Sequence, residues 1–506
     1  MRNRTMTSGD ESISEIQQFF KGTNVFITGA TGFIGHVLVE KILRSCLVNK
    51  VYLLVRSKKN KDPQTRLREM FSSLLFTRLW EEQPDFIEKV LLITGDCVEP
   101  NLGLSAADEE FMVANMDIVI HCAATINLNG PLKHTSFINV RCTKDLLLIA
   151  RRMHRLKSFV YVSTAFSNPN QPITEEIIYD CHIQGDVLIN MVENMSDSVL
   201  NSITPELLGT WPNTYTLSKC IAENLVKQYG QNMPICITRP CIVGFTDKEP
   251  VTGWANTMKS VPGLCVGLGL GAIHVVYLDP KIRVVTTPAD NVANMIITAA
   301  HHASKTRSKP IIPVFNFVPN NSAPVLTYGQ GVKYIVDIIS KKELYSDKQL
   351  WKPNVVVAKS KVSFSILFFI YHYLPAYFID CCLWITGNKM RATKIYKKVK
   401  TMMNEMNYFC ITDFNFDDRH LKALISSQSD QDKQLFNFDI TNIKWYEYFL
   451  NSSYGVKKYI LKDSGDATVG KKRYQKIMVA YYMLSTIMYG CLLYLSYLLL
   501  KMVYFL

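Results

Sequence analysis

Tyr215 and Lys219 stand four residues apart in the stretch Tyr215-Thr216-Leu217-Ser218-Lys219. On a helix over Tyr215 to Tyr229 that spacing places both on one face, so an ammonium would sit beside a phenol. A nearby cation stabilises phenolate, and the expectation is a tyrosine pKa lowered toward working pH, giving a usable acid/base. Such a pair is common in helices, and its weight comes from neighbours able to serve the same chemistry. Phe159-Val160-Tyr161-Val162-Ser163-Thr164 reads as a buried strand ending in two hydroxyls that can hydrogen-bond a substrate carbonyl. Thr164 is the first choice as donor. Ser163 is the alternative, because a one-residue slip in register turns it to the opposite face. Asn139, opening the helix-like stretch Val140 to Ala150, extends the group as a proton relay through water.

The element that must present a reactant to these groups lies near the start. Thr28-Gly29-Ala30-Thr31-Gly32-Phe33-Ile34-Gly35 sits between the apolar run Val25 to Ile27 and a helix-like stretch, His36 to Arg44. Glycines here let the chain turn tightly off a strand, approach a pyrophosphate and aim a helix N-terminus at it. Gly29, Thr31, Gly32, Phe33, Ile34 and Gly35 are therefore expected to cradle a dinucleotide, and Lys219 to hold its nicotinamide ribose. The next strand, Lys50 to Val55, ends on Arg56-Ser57-Lys58-Lys59 where an NAD site would carry an acid. A guanidinium there can fork onto a ribose 2′-phosphate, which makes NADPH the expected cofactor. Val90 to Gly95 is apolar enough for a buried parallel strand and ends on Asp96, which can accept from the adenine amino group. Asp117 to Ala124 is a further buried strand running into small residues, with Ala123 letting the cofactor lie close to the backbone. His121 and Cys122 read as packed core, since no second His/Cys pair lies at ligand spacing, and no metal is expected.

Together these residues resemble a family. Gly29-x-x-Gly32-x-x-Gly35 with Tyr215-x-x-x-Lys219 is similar to the extended short-chain dehydrogenase/reductases. Thr28 to Gly35, Tyr52 to Arg56, Tyr161 to Ala165 and Arg239-Pro240 resemble, within that superfamily, the alcohol-forming fatty acyl-CoA reductases. Asp413-Phe414-Asn415-Phe416-Asp417 and Trp445-Tyr446-Glu447-Tyr448-Phe449 look like that family's second domain. The resemblance implies an α/β Rossmann-type, doubly wound parallel sheet over residues 21–340, then a smaller, mostly helical C-terminal domain over 341–465. It also implies a substrate, long-chain fatty acyl-CoA, reduced by two hydride transfers through an aldehyde to a fatty alcohol with release of coenzyme A. Tyr215 and Thr164 would stabilise the developing oxyanion. One departure is the loop Gly253-Trp254-Ala255-Asn256, where members carry Asp after the Gly-Trp and an Asn-Gly-Pro stretch behind it. Here Ala255 and Lys259-Ser260-Val261-Pro262-Gly263 stand instead. The glycine-rich run Gly263 to Gly271 is expected to be a mobile substrate loop. The insertion between Thr164 and Tyr215, with Glu175-Glu176 and Trp211-Pro212, could wall an acyl tunnel, cover coenzyme A or form a plain surface subdomain. Two rivals are a membrane-bound hydroxysteroid dehydrogenase and a non-catalytic NADPH-binding scaffold.

The 506 residues carry a formal charge of +13 and thirteen cysteines without a C-x-x-C. Scattered, odd-numbered cysteines make a poor disulfide framework and favour a reducing setting. No basic run interleaved with aromatics marks a nucleic-acid module, so a phosphate-rich coenzyme and an anionic membrane surface are the expected acidic partners. Residues 1–20 form a polar tail without a secretory signal. Ile477 to Leu500 is apolar throughout, with Lys471, Lys472, Arg473 and Lys476 before it and only Lys501 beyond. It is expected to cross a bilayer as a tail anchor in the endoplasmic reticulum or the peroxisome, with the catalytic domains in the cytosol. A second apolar stretch, Val362 to Thr386, is expected not to span but to pack on the domain or dip into the membrane interface, where substrate chains could enter. Crossing there would place the cations from Lys389 to Lys400 on the far side, and Pro375 and Asp380 interrupt it.

Overall fold

The computed structural model describes residues 13–504 except Lys59, residues 306–310 and 320–323, Asn388 and Met390. Most of the polar N-terminal tail, together with Lys59, therefore lies outside the described residues. The chain divides into two units, each built from three segments.

The first unit comprises Met1–Val251, Val285–Pro324 and Phe414–Ile443. Its frame is a seven-stranded sheet of β1 (Asn24–Thr28), β2 (Lys50–Val55), β3 (Val90–Thr94), β4 (Ile118–His121), β5 (Ser158–Val162), β6 (Ile235–Pro240) and β7 (Val314–Phe317). The order is β7-β6-β5-β4-β1-β2-β3, every pair parallel. Continuous runs such as Val25-Phe26-Ile27 and Phe159-Val160-Tyr161 form such strands because both faces are covered by helices, and β1 and β5 are buried at every residue. β3 departs from the expectation of a buried strand. It lies at the sheet edge, with Leu91 exposed. The chain reverses direction of winding between β1 and β4, and beyond their carboxyl ends lies the crevice where open α/β sheets bind ligands.

The segment Phe414–Ile443 belongs with this sheet, so the boundary expected at residue 341 is redrawn. Buried Glu176 accounts for much of this, accepting backbone N–H groups from Asn316, His420 and Leu421. Asn316 Nδ2 donates to the Thr174 and Asp417 carbonyls, and Asn294 Nδ2 to the Asn437 carbonyl. Burial pushes the Glu176 carboxyl up to about 7, against the pull of those three N–H groups. The acidic patch of the insertion is therefore a brace. The rest of the insertion folds as helices Gly185–Asn194 and Asp197–Leu208, pinned by Trp211 Nε1 on the Ser167 carbonyl at 2.8 Å.

The second unit comprises Thr252–Val284, Val325–Asp413 and Lys444–Leu506. Gly263 to Gly271, expected as a mobile loop, is instead mostly helix, Ser260–Gly269, with a buried apolar face. Its glycines serve close packing. A Cβ on Gly263 would lie 1.9 Å from the Met258 carbonyl oxygen, and one on Gly267 would lie 2.3 Å from Ile273. In the loop before it, Gly253 takes φ 69° and lies so close to the helix Trp445–Gly455 that a Cβ would stand 2.3 Å from the Asn451 carbonyl oxygen. Trp254 and Ala255 are buried. Helical structure also runs through Pro375. Lys361–Phe368 passes through a π turn, Phe369–Tyr373, into Leu374–Ile385. The widened turn accommodates a residue that has no N–H to give, so the proline does not break the rod. Two helices, Lys361–Ile385 and Ala467–Leu498, are long and apolar enough to cross a membrane.

Candidate active site

β1 ends at Thr28, and the chain turns at Gly29, whose φ of 74° is left-handed. Space is as tight as conformation here, since a Cβ on Gly29 would lie 2.6 Å from the Ala123 nitrogen, where the chain leaves β4. Gly35 lets helix Phe33–Ser45 close on the strand, because its Cβ would meet the Gly29 carbonyl oxygen at 2.2 Å. Gly32 caps that helix with no side-chain bond and no acid in the first turn, leaving the turn Thr31-Gly32-Phe33-Ile34 suited to an anion. Thr28 Oγ1 ties the two strand ends, accepting from Ala123 N at 3.1 Å and bonding His121 Nδ1 at 2.7 Å. His121 also bonds Thr143 Oγ1, and burial holds its imidazole down to about 3, so it is neutral core. Among the described residues no cluster of His, Cys, Asp or Glu is placed to hold a metal.

At the end of β2, Arg56 and Asp96 are given to each other. Arg56 Nη1 lies 2.9 Å from Asp96 Oδ2, because β2 and β3 are neighbours and their ends converge. Asp96 Oδ1 also accepts from Val98 N. The two residues expected at the 2′-phosphate and the adenine thus lie side by side, as an ion pair, at one corner of the cradle. A second guanidinium that sequence reasoning missed completes the corner. Arg66, on helix Pro63–Phe71, donates to Thr31 Oγ1 at 2.7 Å and to the Arg56 carbonyl at 2.6 Å. Partial burial and the charge of Arg56 hold its pKa below the usual range. Two guanidinium groups beside one carboxylate, at the mouth of a glycine cradle, suit a dinucleotide carrying an extra phosphate.

The groups expected to react are gathered about the end of β5. Helix Thr214–Tyr229 is capped by Asn213, whose Oδ1 accepts from Thr216 N at 2.9 Å. Tyr215, in its first turn, has the Thr164 hydroxyl beside it, which favours phenolate, yet burial dominates and pushes the phenol up to about 12. The lowered tyrosine pKa expected from Lys219 is not realised here. Lys219 donates instead to the Val162 carbonyl at 2.8 Å and to Tyr161 Oη at 3.3 Å, and burial brings its ammonium down to about 8. Ser163 is turned away from Tyr215, its hydroxyl donating to Glu223 Oε1 at 2.5 Å. That leaves Thr164 as the hydroxyl partnered with the phenol.

Glu223, four residues past Lys219, is fully buried and paired with fully buried Arg239 at 2.6 Å. Arg239 also donates to the carbonyls of Glu175 and Ile177. Neither side chain suggests itself from spacing alone, since they lie on different elements, helix Thr214–Tyr229 and β6. Asn139 sits in a π turn, Phe137–Arg141, between helices Leu132–Ser136 and Cys142–Ala150. Its amide hydrogens go to the Thr125 carbonyl and to Ser218 Oγ, and its Oδ1 accepts from Thr125 N. Those bonds fasten the loop after β4 to the Tyr215 helix.

Residues 27–296 match a nucleotide-binding family described as male sterility protein, and residues 371–463 match a second family of the same description. A Drosophila melanogaster protein named fatty acyl-CoA reductase wat is 35% identical over 97% of this chain and 94% of its own length. Fatty acyl-CoA reductase 1 of Xenopus laevis is 35% identical over 94% of this chain and 92% of its own. Among solved structures, the reductase domain of a nonribosomal peptide synthetase from Mycobacterium tuberculosis aligns with a TM-score of 0.57 at 17% identity, covering 86% of this chain and 91% of that one, a likeness of fold. With a nicotinamide-dinucleotide fold and relatives matched nearly end to end, the chain is an oxidoreductase belonging to the fatty acyl-CoA reductase family.

Proposed function

We propose that this protein reduces long-chain fatty acyl-CoA to fatty alcohol with NADPH, in two steps through the aldehyde, releasing coenzyme A. The observation that carries the reading is the Tyr215–Thr164 pair, set at the end of β5 and tied through Ser218, Asn139 and Thr125 to the loop that faces Gly29. Gly29, Thr31, Gly32, Phe33, Ile34, Gly35 and Ala123 fit the pyrophosphate, and Arg66 with Arg56 fits the 2′-phosphate. Two molecules of NADPH, bound there in succession, would each supply one hydride. Tyr215, protonated across the working range, donates a hydrogen bond to the carbonyl oxygen as negative charge grows on it, with Thr164 as second donor. Tyr215 then gives up its proton to that oxygen, and Lys219 stabilises the phenolate left behind. The same group serves both carbonyls: the thiohemiacetal formed from the thioester gives its hydroxyl proton back as the C–S bond breaks and coenzyme A leaves as its thiol, and the aldehyde so released then takes the second hydride and proton.

Supplying the purified chain with NADPH and acyl-CoAs of graded length, and following alcohol by mass spectrometry, tests this directly. Absence of alcohol from every length, with NADPH still bound, overturns it. Cofactor choice is tested separately. Arg66→Ala should raise KM for NADPH roughly 10–100-fold, the worth of a charged hydrogen-bonded contact, and leave KM for NADH nearly unchanged. Equal losses with both cofactors would assign Arg66 to the cradle's architecture instead.

The helix Ala467–Tyr504 anchors the chain in a membrane of the endoplasmic reticulum or peroxisome in this proposal. Lys471, Lys472, Arg473 and Lys476 keep the preceding chain cytosolic.

A further inference from the structure

The rod formed by Lys361–Phe368, Phe369–Tyr373 and Leu374–Ile385 has its polarity inverted. A surface helix ordinarily turns its apolar stripe inward and its polar face to water. Here a narrow stripe, Phe364, Phe368, His372 and Ala376, is buried at four-residue spacing. It packs within the second unit against Val275, Tyr396, Val399 and Met403. The broader remainder is exposed and still apolar, with Leu374 57%, Phe378 73%, Trp384 69% and Ile385 72% accessible. The chain then turns back into Ala392–Ile411, and Asp380 clasps that second helix by accepting from Ala392 N at 2.5 Å and Thr393 Oγ1 at 2.6 Å. Asp380 is the sole acidic side chain from Lys361 to Lys400. Against it stand Lys361, Lys389, Arg391, Lys394, Lys397, Lys398 and Lys400, of which all but Arg391 and Lys400 are exposed. Lys400 lies over the rings of Phe368 and Tyr373.

We propose that this helical hairpin is a monotopic insertion element that lies in the plane of an anionic lipid surface. Its exposed apolar flank enters the headgroup and acyl boundary, and its lysines, apolar along their stems, meet the lipid phosphates. Charge and aromatic content identify the occupant. A soluble protein partner would need an acidic apolar surface of matching length, whereas an anionic leaflet offers both properties everywhere. Packing excludes a crossing. The inner stripe is held along the Ala392–Ile411 helix, and a helix opening with that run of cations cannot follow it through the hydrocarbon. This inference is independent of the catalytic reading, because it uses no residue of the cradle or of the Tyr215 site.

The test uses the full chain reconstituted in phosphatidylcholine vesicles containing about one fifth phosphatidylserine, with brominated lipids as depth-dependent quenchers of tryptophan. Trp384→Phe should remove a share of the quenching caused by bromines near the headgroups. A variant carrying both Tyr371→Trp and Trp384→Phe, with its tryptophan at mid-rod, should restore that share at the same shallow depth. Lys394→Glu, Lys397→Glu and Lys398→Glu combined should reduce the Trp384 share by roughly half or more in these vesicles, and much less in vesicles of phosphatidylcholine alone. Stronger quenching at position 371 by bromines near the chain ends would mean a crossing and overturn the proposal. No quenching at either position would overturn it in favour of a protein partner or a second copy covering the face.

Discussion

Replacing Tyr215 by phenylalanine should lower kcat by about 10²–10⁴-fold while leaving NADPH affinity close to the parent value. The phenol is the acidic side chain set beside the Thr164 hydroxyl, and removing its own hydroxyl leaves the packing of helix Thr214–Tyr229 intact. Stopped-flow measurement of alcohol formation, with cofactor binding followed by fluorescence, separates the two effects. Turnover within threefold or so of the parent would remove Tyr215 from the chemistry. The pH profile supplies an internal check. With its phenol at about 12, Tyr215 remains a donor throughout the accessible range. Lys219, lowered to about 8, is a cation below that pH and neutral above it. kcat/KM should therefore fall as pH rises through about 8, because the phenolate left after proton transfer loses its counter-charge. Lys219→Arg, which stays charged, should push that descending limb to higher pH if it folds and binds cofactor.

The second large effect concerns stability. Arg239→Met should cost on the order of 3–5 kcal/mol, because the Glu223 carboxylate would remain buried with only the Ser163 hydroxyl as partner. The carbonyls of Glu175 and Ile177 would lose their donor as well. Pairing the change with Glu223→Gln removes the stranded charge, so the double variant should melt between the single variant and the parent. Scanning fluorimetry across the set checks the order. A double variant no better than Arg239→Met alone would show that the carbonyl bonds, and not the ion pair, hold this region.

What was legible from residues alone follows a physical pattern. The cradle and strands β1, β2, β4 and β5 were readable because glycine spacing and unbroken apolar runs are local signals. The helix at Tyr215 was readable for the same reason. Arg66 was not, since it reaches Thr31 only after helix Pro63–Phe71 folds back over the cradle. Glu223 and Arg239 were hidden likewise, as a pairing between a helix and a strand. The expected drop in the Tyr215 pKa considered only a neighbouring cation, and burial outweighed it. Gly263 to Gly271 misled because glycine signals both flexibility and close approach, and sequence does not say which. Pro375 misled because a π turn absorbs what an ideal helix cannot. The domain boundary was obscured because Phe414–Ile443 is held by Glu176, far back in the insertion.

That threading has a consequence for how the protein is made. β7 forms one edge of the sheet, and helix Arg419–Ser426, with His420 Nδ1 bonded to the Val314 carbonyl, packs beside it. On the ribosome, β7 emerges long before the segment that covers it. At ordinary elongation rates of roughly 5–20 residues per second, about 5–22 s pass between them. Throughout that interval the nascent chain carries an unprotected sheet edge, the geometry most prone to pair with another strand. Translation speed after residue 317, and chaperone occupancy there, should therefore govern the yield of folded enzyme more than changes in the sheet itself.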